Sequence, residues 1–212
     1  MKNFSIFVEG DGDVRFIKHY LKFLSLEEPL LILPENWQEN IQKIDGWNTL
    51  DSSKGEAHRN LMLRTTRNGG VNLVIFDADT NADARRINLE QIKNKYNLNF
   101  EIFLFPNNHD EGALEELLEK LINPQNQCVL DCWKLYEAEL SQQQIVWKKP
   151  TTPTTPSSKS KIYAYLEALV GTSRSEKNKI KDPNRDFLNT DHWNLKSNSV
   201  KNLKDFLLSH LL

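Results

Sequence analysis

The stretch Val71-Asn72-Leu73-Val74-Ile75-Phe76-Asp77-Ala78-Asp79 decides the architecture. Five of its first six residues are apolar, it follows Asn68-Gly69-Gly70, and it stops abruptly in two acids. A run this short, apolar at both alternating sets of positions and bounded by turn residues, reads as a strand buried on both faces. Strands covered on both faces belong to parallel sheets, so helical crossovers are expected on either side of it in the chain.

The flanking sequence supplies them. Upstream, Phe4–Val8 is a second short apolar run, closed by Glu9-Gly10-Asp11-Gly12. Val14, Ile17, Tyr20, Leu21 and Leu24 then recur at the steps of an amphipathic helix, with Asp13 at the expected N-cap place. Leu30–Leu33 reads as a strand stopped by Pro34, and the polar stretch 35–68 contains a helix near 56–67. Downstream come a polar helix over 82–96, a strand over Phe100–Phe105 closed by Pro106-Asn107-Asn108, an apolar helix through Leu114, Leu117, Leu118, Leu121 and Ile122, and a helix over 126–146. The predicted class is α/β: a mainly parallel four-stranded sheet flanked by helices.

The chain has 212 residues, 39% hydrophobic and 26% charged, with five Trp and ten Phe, enough to bury a sizeable core. Lys148–Ser160 (KKPTTPTTPSSKS) has three prolines and no large apolar residue, so an exposed connection is expected there. The predicted organisation is therefore an α/β domain over 1–147, the connection over 148–160, and a helical extension over 161–212 with helices at 162–170 and 200–211. The extension is expected to pack back on the sheet, because neither helix can bury an apolar face alone.

The net charge of −2 conceals an asymmetry: residues 1–147 carry 15 basic and 23 acidic side chains, residues 148–212 carry 12 and 6. A basic C-terminal third suits an anionic partner such as DNA or RNA, and equally a solvated lysine-rich surface. No stretch approaches the roughly 20 apolar residues of a membrane span, and the opening meets acid too early for a secretory signal, so a cytoplasmic location without a membrane partner is expected. Cys128 and Cys132 stand four apart with no second pair to complete a zinc site, and are expected to be reduced packing residues.

The acids at strand ends carry the chemistry. In a parallel sheet all carboxyl ends open on one edge, so Glu9, Asp77 and Asp79 are expected to share a crevice. Crowded carboxylates raise one another's pKa, a cost that a cation relieves, and hard oxygen ligands select Mg2+ or Mn2+. Asp13 and Asp83 are further candidate ligands, an N-cap role being the alternative for Asp13. Arg85 and Arg86 open the helix after the acidic turn and suit a substrate phosphate, or else a solvated face. Lys159 and Lys161 lie beside the proline-rich connection, within reach of a nucleic-acid backbone.

Phe7-Val8-Glu9-Gly10 with Asp13, followed by Val74-Ile75-Phe76-Asp77-Ala78-Asp79, resembles the Toprim domain over roughly residues 4–122. The later stretch Phe103-Leu104-Phe105-Pro106-Asn107-Asn108, then Gly112–Leu118, resembles its small stand-alone members, which are related to the overcoming-lysogenisation-defect nucleases. The resemblance implies Glu9 as general acid or base, Asp77 and Asp79 as metal ligands, and one further acid from Glu111, Glu115 or Glu116. Glu115 is expected as a metal ligand, the alternative being an acid favoured by a helix dipole. The implied activity is metal-dependent hydrolysis of a phosphodiester in nucleic acid. Strand passage is not expected, since no tyrosine-bearing domain is present, and two cysteines do not make a primase zinc module. No phosphate loop G-x-x-x-x-G-K-[ST] occurs, so any ATPase is expected to be a separate partner.

Other readings remain for the same residues. The crevice suits equally a non-catalytic metal- or nucleic-acid-binding subunit of a defence or repair complex. Asp77-Ala78-Asp79-Thr80 also resembles the first motif of haloacid-dehalogenase-like phosphatases, which expect it on the first strand. A calcium loop starting at Asp77 lacks the required Gly and Glu, having Ala82 and Asn88 there instead.

Overall fold

The computed structural model describes residues 3–212. Strands β1 (Phe4–Val8), β2 (Ile41–Lys43), β3 (Val71–Asp77) and β4 (Glu101–Phe105) form one sheet in the order β2-β1-β3-β4, with every pairing parallel. Helices α1 (Asp11–Glu27), α2 (Glu56–Arg67), α3 (Ala82–Lys95) and α4 (Leu114–Leu121) follow the strands in turn. They are succeeded by α5 (Gln127–Ser141), α6 (Ser158–Val170), α7 (Arg174–Lys179) and α8 (Lys201–Leu211). The α/β class with helices on both faces and a helical C-terminal segment is therefore as the sequence indicates.

Alternation along the strands divides the core. Ile6, Val8, Leu73, Ile75, Phe103 and Phe105 face one layer with α1, α4, α6 and α8; Phe7, Val74, Phe76, Ile102 and Leu104 face the other with α2 and α3. Each such side chain contributes about 1.5–3 kcal/mol on full burial. Buried polar groups tie the layers together: Ser5 and Thr65 share a hydrogen bond of 2.8 Å, and the Asn72 amide donates to the carbonyls of Met62 and Asn99.

Four local expectations are corrected. Leu30–Leu33 forms no strand: Leu30 and Ile32 are 79% and 66% exposed, whereas a strand of this sheet must be covered on both faces. The edge strand is Ile41–Lys43, with Ile41 paired to Ile6. The N-cap of α1 is Gly10, and Asp13 sits at the third helical position, where its carboxylate accepts the Gly10 N–H at 2.7 Å. That is the side-chain half of a capping box. Helix α5 ends at Ser141 instead of 146, and both cysteines on it are free and exposed, so neither packs the core.

The C-terminal segment belongs to the main core. Phe187 stacks edge-on against Phe16 at 5.2 Å and tilts against Trp193 at 5.3 Å, and Trp193 bridges to Ile122. The Phe187 N–H donates to His19 Nδ1 at 3.0 Å, and burial lowers the His19 pKa to about 4, so the ring is a neutral acceptor. Helix α6 starts four residues earlier than its apolar pattern suggests, and α7 is an unforeseen short helix opened by the Ser173 cap.

Trp193→Ala is expected to cost about 3–5 kcal/mol, read by urea denaturation followed by both far-UV circular dichroism and fluorescence. A loss below about 1 kcal/mol, or two separate transitions, would show that the C-terminal segment is an appendage.

Candidate functional site

The strand order places a topological switch point between β1 and β3: the chain leaves β1 toward β2 on one side and β3 toward β4 on the other. Crevices open at the carboxyl ends of the two strands flanking such a point. Here that crevice is a cleft of about 290 Å3 lined by Glu9, Asp13, Asp77 and Glu115, together with Asp45, Asp182, Lys159 and Arg185.

Three of these acids, Glu9, Asp13 and Asp77, are fixed by backbone. The Asp77 N–H donates to Glu9 Oε1 at 3.1 Å, so the residues ending β1 and β3 are directly joined. Asp77 Oδ1 accepts the Leu114 N–H at 3.0 Å, the first amide of α4, and Glu115 follows on that same turn. An N-terminal helix end favours anions, which explains why acids are tolerated here. Asp13 uses Oδ2 for the Gly10 N–H, and neither Asp13 Oδ1 nor Asp77 Oδ2 has a hydrogen-bond partner among the described residues.

The electrostatics are strained. Burial, then repulsion from Asp13, Glu9 and Glu115, raises the pKa of Asp77 to about 8. Burial is again the main cause at Asp13, raised to about 7 with Glu115 and Glu9 adding, against the Gly10 N–H. Glu9 is raised by burial too, with Arg85 opposing. Two carboxyl groups with affinities near neutrality, side by side in a cleft, are a recognised signature of functional sites.

The sequence-predicted residues divide into two groups. Glu9, Asp13, Asp77, Glu115 and Lys159 line the cleft. Asp79 does not: it adopts φ 51, its backbone is bridged to Gly112 by bonds of 2.9 and 2.7 Å, and its carboxylate is paired with Arg85. Arg85 is itself buried and lies over the Trp47 ring at 4.8 Å. Arg86 donates to Asn108, both carbonyl and side chain, and Lys161 sits between Glu119 and Glu137 at 3.1 and 3.6 Å, away from the cleft. Of the further acids, Glu116 accepts from Ala113 N–H and Ser158, while Glu111 and Asp83 are exposed.

Asp45, Asp182 and Arg185 were not foreseen. Asp45 follows β2, the edge strand expected instead at Leu30–Leu33; the acid-glycine pair Asp45-Gly46 after a short strand is the available signal. Asp182 accepts from Lys159 at 2.6 Å, Tyr163 at 2.9 Å and Arg185 at 3.1 Å, so α6 and the α7–α8 loop are locked together at the rim. Arg185 is 3% exposed and also donates to the Ile180 carbonyl. Nothing local in the sequence marks these two residues.

Among the described residues no three His, Cys, Asp or Glu stand in a ready-made chelating group, and no helix is long and apolar enough to cross a membrane. The donor set nevertheless fits a hard cation, since Asp13 and Asp77 each keep an oxygen without a partner in a cleft whose acids repel.

Residues 3–211 match the family described as a protein of unknown function (DUF3226), and the chain belongs to that family. No curated protein and no solved structure matches.

Raised carboxyl pKa values make the fold less stable as pH increases, because the unfolded chain releases these protons near pH 4 whereas the folded chain holds them to about pH 7 and 8. Asp13→Asn and Asp77→Asn keep an oxygen for the Gly10 and Leu114 amides. Each is expected to gain at least about 1 kcal/mol relative to wild type between pH 5 and pH 8.5, measured by urea melts across that range. Parallel pH profiles in variant and wild type would contradict the assigned protonation.

Proposed function

For this DUF3226 chain we propose a Toprim-like, Mg2+- or Mn2+-dependent phosphodiester hydrolase acting on nucleic acid. The single observation carrying this reading is the convergence of Glu9, Asp13, Asp77 and Glu115 in one cleft at the β1/β3 switch point. Asp13 and Asp77 would hold the cation through their unpartnered oxygens, with Glu115 beside them. A bound Mg2+ or Mn2+ supplies Lewis-acid stabilisation of a phosphodiester and acidifies water.

The protein's own groups do the rest. Glu9 is oriented by the Asp77 N–H and holds a proton more tightly than a free glutamate, which suits a general acid or base. Lys159 and Arg185 also line the cleft, both paired with Asp182; Arg185 is buried, so Lys159 is the cation that can turn from Asp182 to a phosphate oxygen. Without a cation the cleft repels a polyanion, so nucleic-acid binding should itself require the metal. The chain carries no phosphate loop, so an ATPase, if one is used, comes from a partner.

The Arg85–Asp79 pair favours a second reading, a metal- and nucleic-acid-binding subunit that does not turn over substrate, because it keeps the second acid of Asp77-Ala78-Asp79 out of the cleft. The same pairing weakens the haloacid-dehalogenase-like reading, which needs Asp79 beside Asp77 as acid or base.

Cleavage of single- and double-stranded DNA and RNA with Mn2+ or Mg2+ is expected, falling about 100-fold or more in Glu9→Gln and similarly in Asp77→Asn. Undiminished cleavage in both variants ends the assignment. Metal-dependent binding without cleavage selects the subunit reading, and loss of the calorimetric Mn2+ site in Asp77→Asn locates the ion in either case.

A further inference from the structure

A second feature lies away from the acidic cleft and does not depend on its function. Of helix α5 only Leu130 is fully buried, with Val129 packed partly against the core. Its outer side forms an apolar trough of about 310 Å3 with α6, lined by Val129, Cys132, Trp133 and Tyr136 from α5 and by Ala164 and Tyr165 from α6. Leu135, on the same helix, is 68% exposed. A contiguous apolar surface of this kind marks an interaction site.

Four residues past the end of α5 the chain makes a closed knob. The Ile145 N–H donates to the Thr151 carbonyl at 2.8 Å, the Lys148 N–H returns to Ile145 at 3.0 Å, and Lys148 Nζ ties down the Thr152 carbonyl at 2.7 Å. This holds Val146 and Trp147 outward, 93% and 84% exposed. A loop braced by its own hydrogen bonds around two bare apolar side chains has already lost the entropy that ordering on a partner would cost, and tryptophan is enriched among the anchoring residues of protein interfaces.

Charge identifies the occupant. Lys161, which lines the trough, is matched by Glu119 and Glu137; with Asp131 and Glu139 against Lys134 the trough wall keeps a balance of −2, whereas the knob 145–151 carries Lys148 and Lys149, a balance of +2. Neither Lys149 nor Glu139 has an ion-pair partner among the described residues. Knob and trough are thus opposite in charge, both apolar at the centre, and carried by the same chain. The knob lies beyond the end of the helix that forms the trough, so it does not fill its own. A two-fold axis that sets two α5 helices antiparallel brings each knob to the other's trough, making two identical contacts and closing the assembly. The acidic helix beside the knob argues against an anionic lipid surface.

We propose that this chain forms a two-fold dimer in which the Val146-Trp147 knob of each copy seats in the α5/α6 trough of the other. Sedimentation velocity on the full chain should show a concentration-dependent dimer. Trp147→Ala, an exposed site whose change leaves far-UV circular dichroism intact, should weaken dimerisation about ten-fold or more. Lys149→Glu should weaken it and Glu139→Lys should restore it in the same chain. Independently, Val146→Cys in a Cys128→Ser background should give a disulfide-linked dimer under mild oxidation that Cys132→Ser abolishes. A monomer at every concentration, a dimer indifferent to Trp147→Ala, or Trp147-dependent binding of a monomer to phosphatidylcholine/phosphatidylglycerol vesicles would each overturn the proposal.

Discussion

All four strands run in one direction, and the rest of the molecule follows from that constraint. Parallel neighbours need crossovers, crossovers put helices on the faces, and a sheet wrapped in this way has no face left for water. Helices α2 and α3 complete one layer. The other is too large for α1 and α4 alone, which is why Ile162, Tyr165, Phe187, Trp193, Leu203 and Leu207 are drawn in from the last quarter of the chain. The C-terminal segment is thus a structural necessity before it is anything else, and its arrival brings Lys159, Asp182 and Arg185 to the edge where the strands end.

The same directionality concentrates acid. Strand ends that share an edge share their loops, and here the loops carry Glu9, Asp45 and Asp77, with Asp13 and Glu115 in the first turns of the helices that follow. Backbone amides fix one oxygen of Glu9, Asp13 and Asp77, but burial and mutual repulsion outweigh them, so Asp13 and Asp77 hold protons to near neutral pH and Glu9 is raised in the same direction. A fold designed only for stability would place amides or apolar groups there. Cost retained at a switch-point crevice is the physical pattern of a site.

Arg85 shows how neighbouring charges are kept apart from this centre. Its guanidinium is buried over Trp47, holds Asp79 and still moderates Glu9 from a distance. Asp77 and Asp79, two residues apart and identical in side chain, consequently live in different environments, one in the cleft and one outside it. The left-handed backbone at Asp79 and its bridge to Gly112 turn the chain between them.

The order of the elements, the strands around Phe4–Val8, Val71–Phe76 and Phe100–Phe105, and the meeting of Glu9 with Asp77 were all legible in the sequence, because strand burial and strand-end position are written in local apolar runs and the acids that stop them. What lay beyond reach was whatever depends on partners far along the chain. Ile41–Lys43 is a strand only because Ile6–Val8 pairs with it, whereas the more apolar Leu30–Leu33 has no such neighbour. Asp79 leaves the cleft because a buried arginine on the next helix takes it, and Arg185 enters because a hydrophobic layer needed Phe187 and Trp193 beside it. Local pattern records what each segment must bury; only the assembled fold decides which charged groups that burial sets face to face.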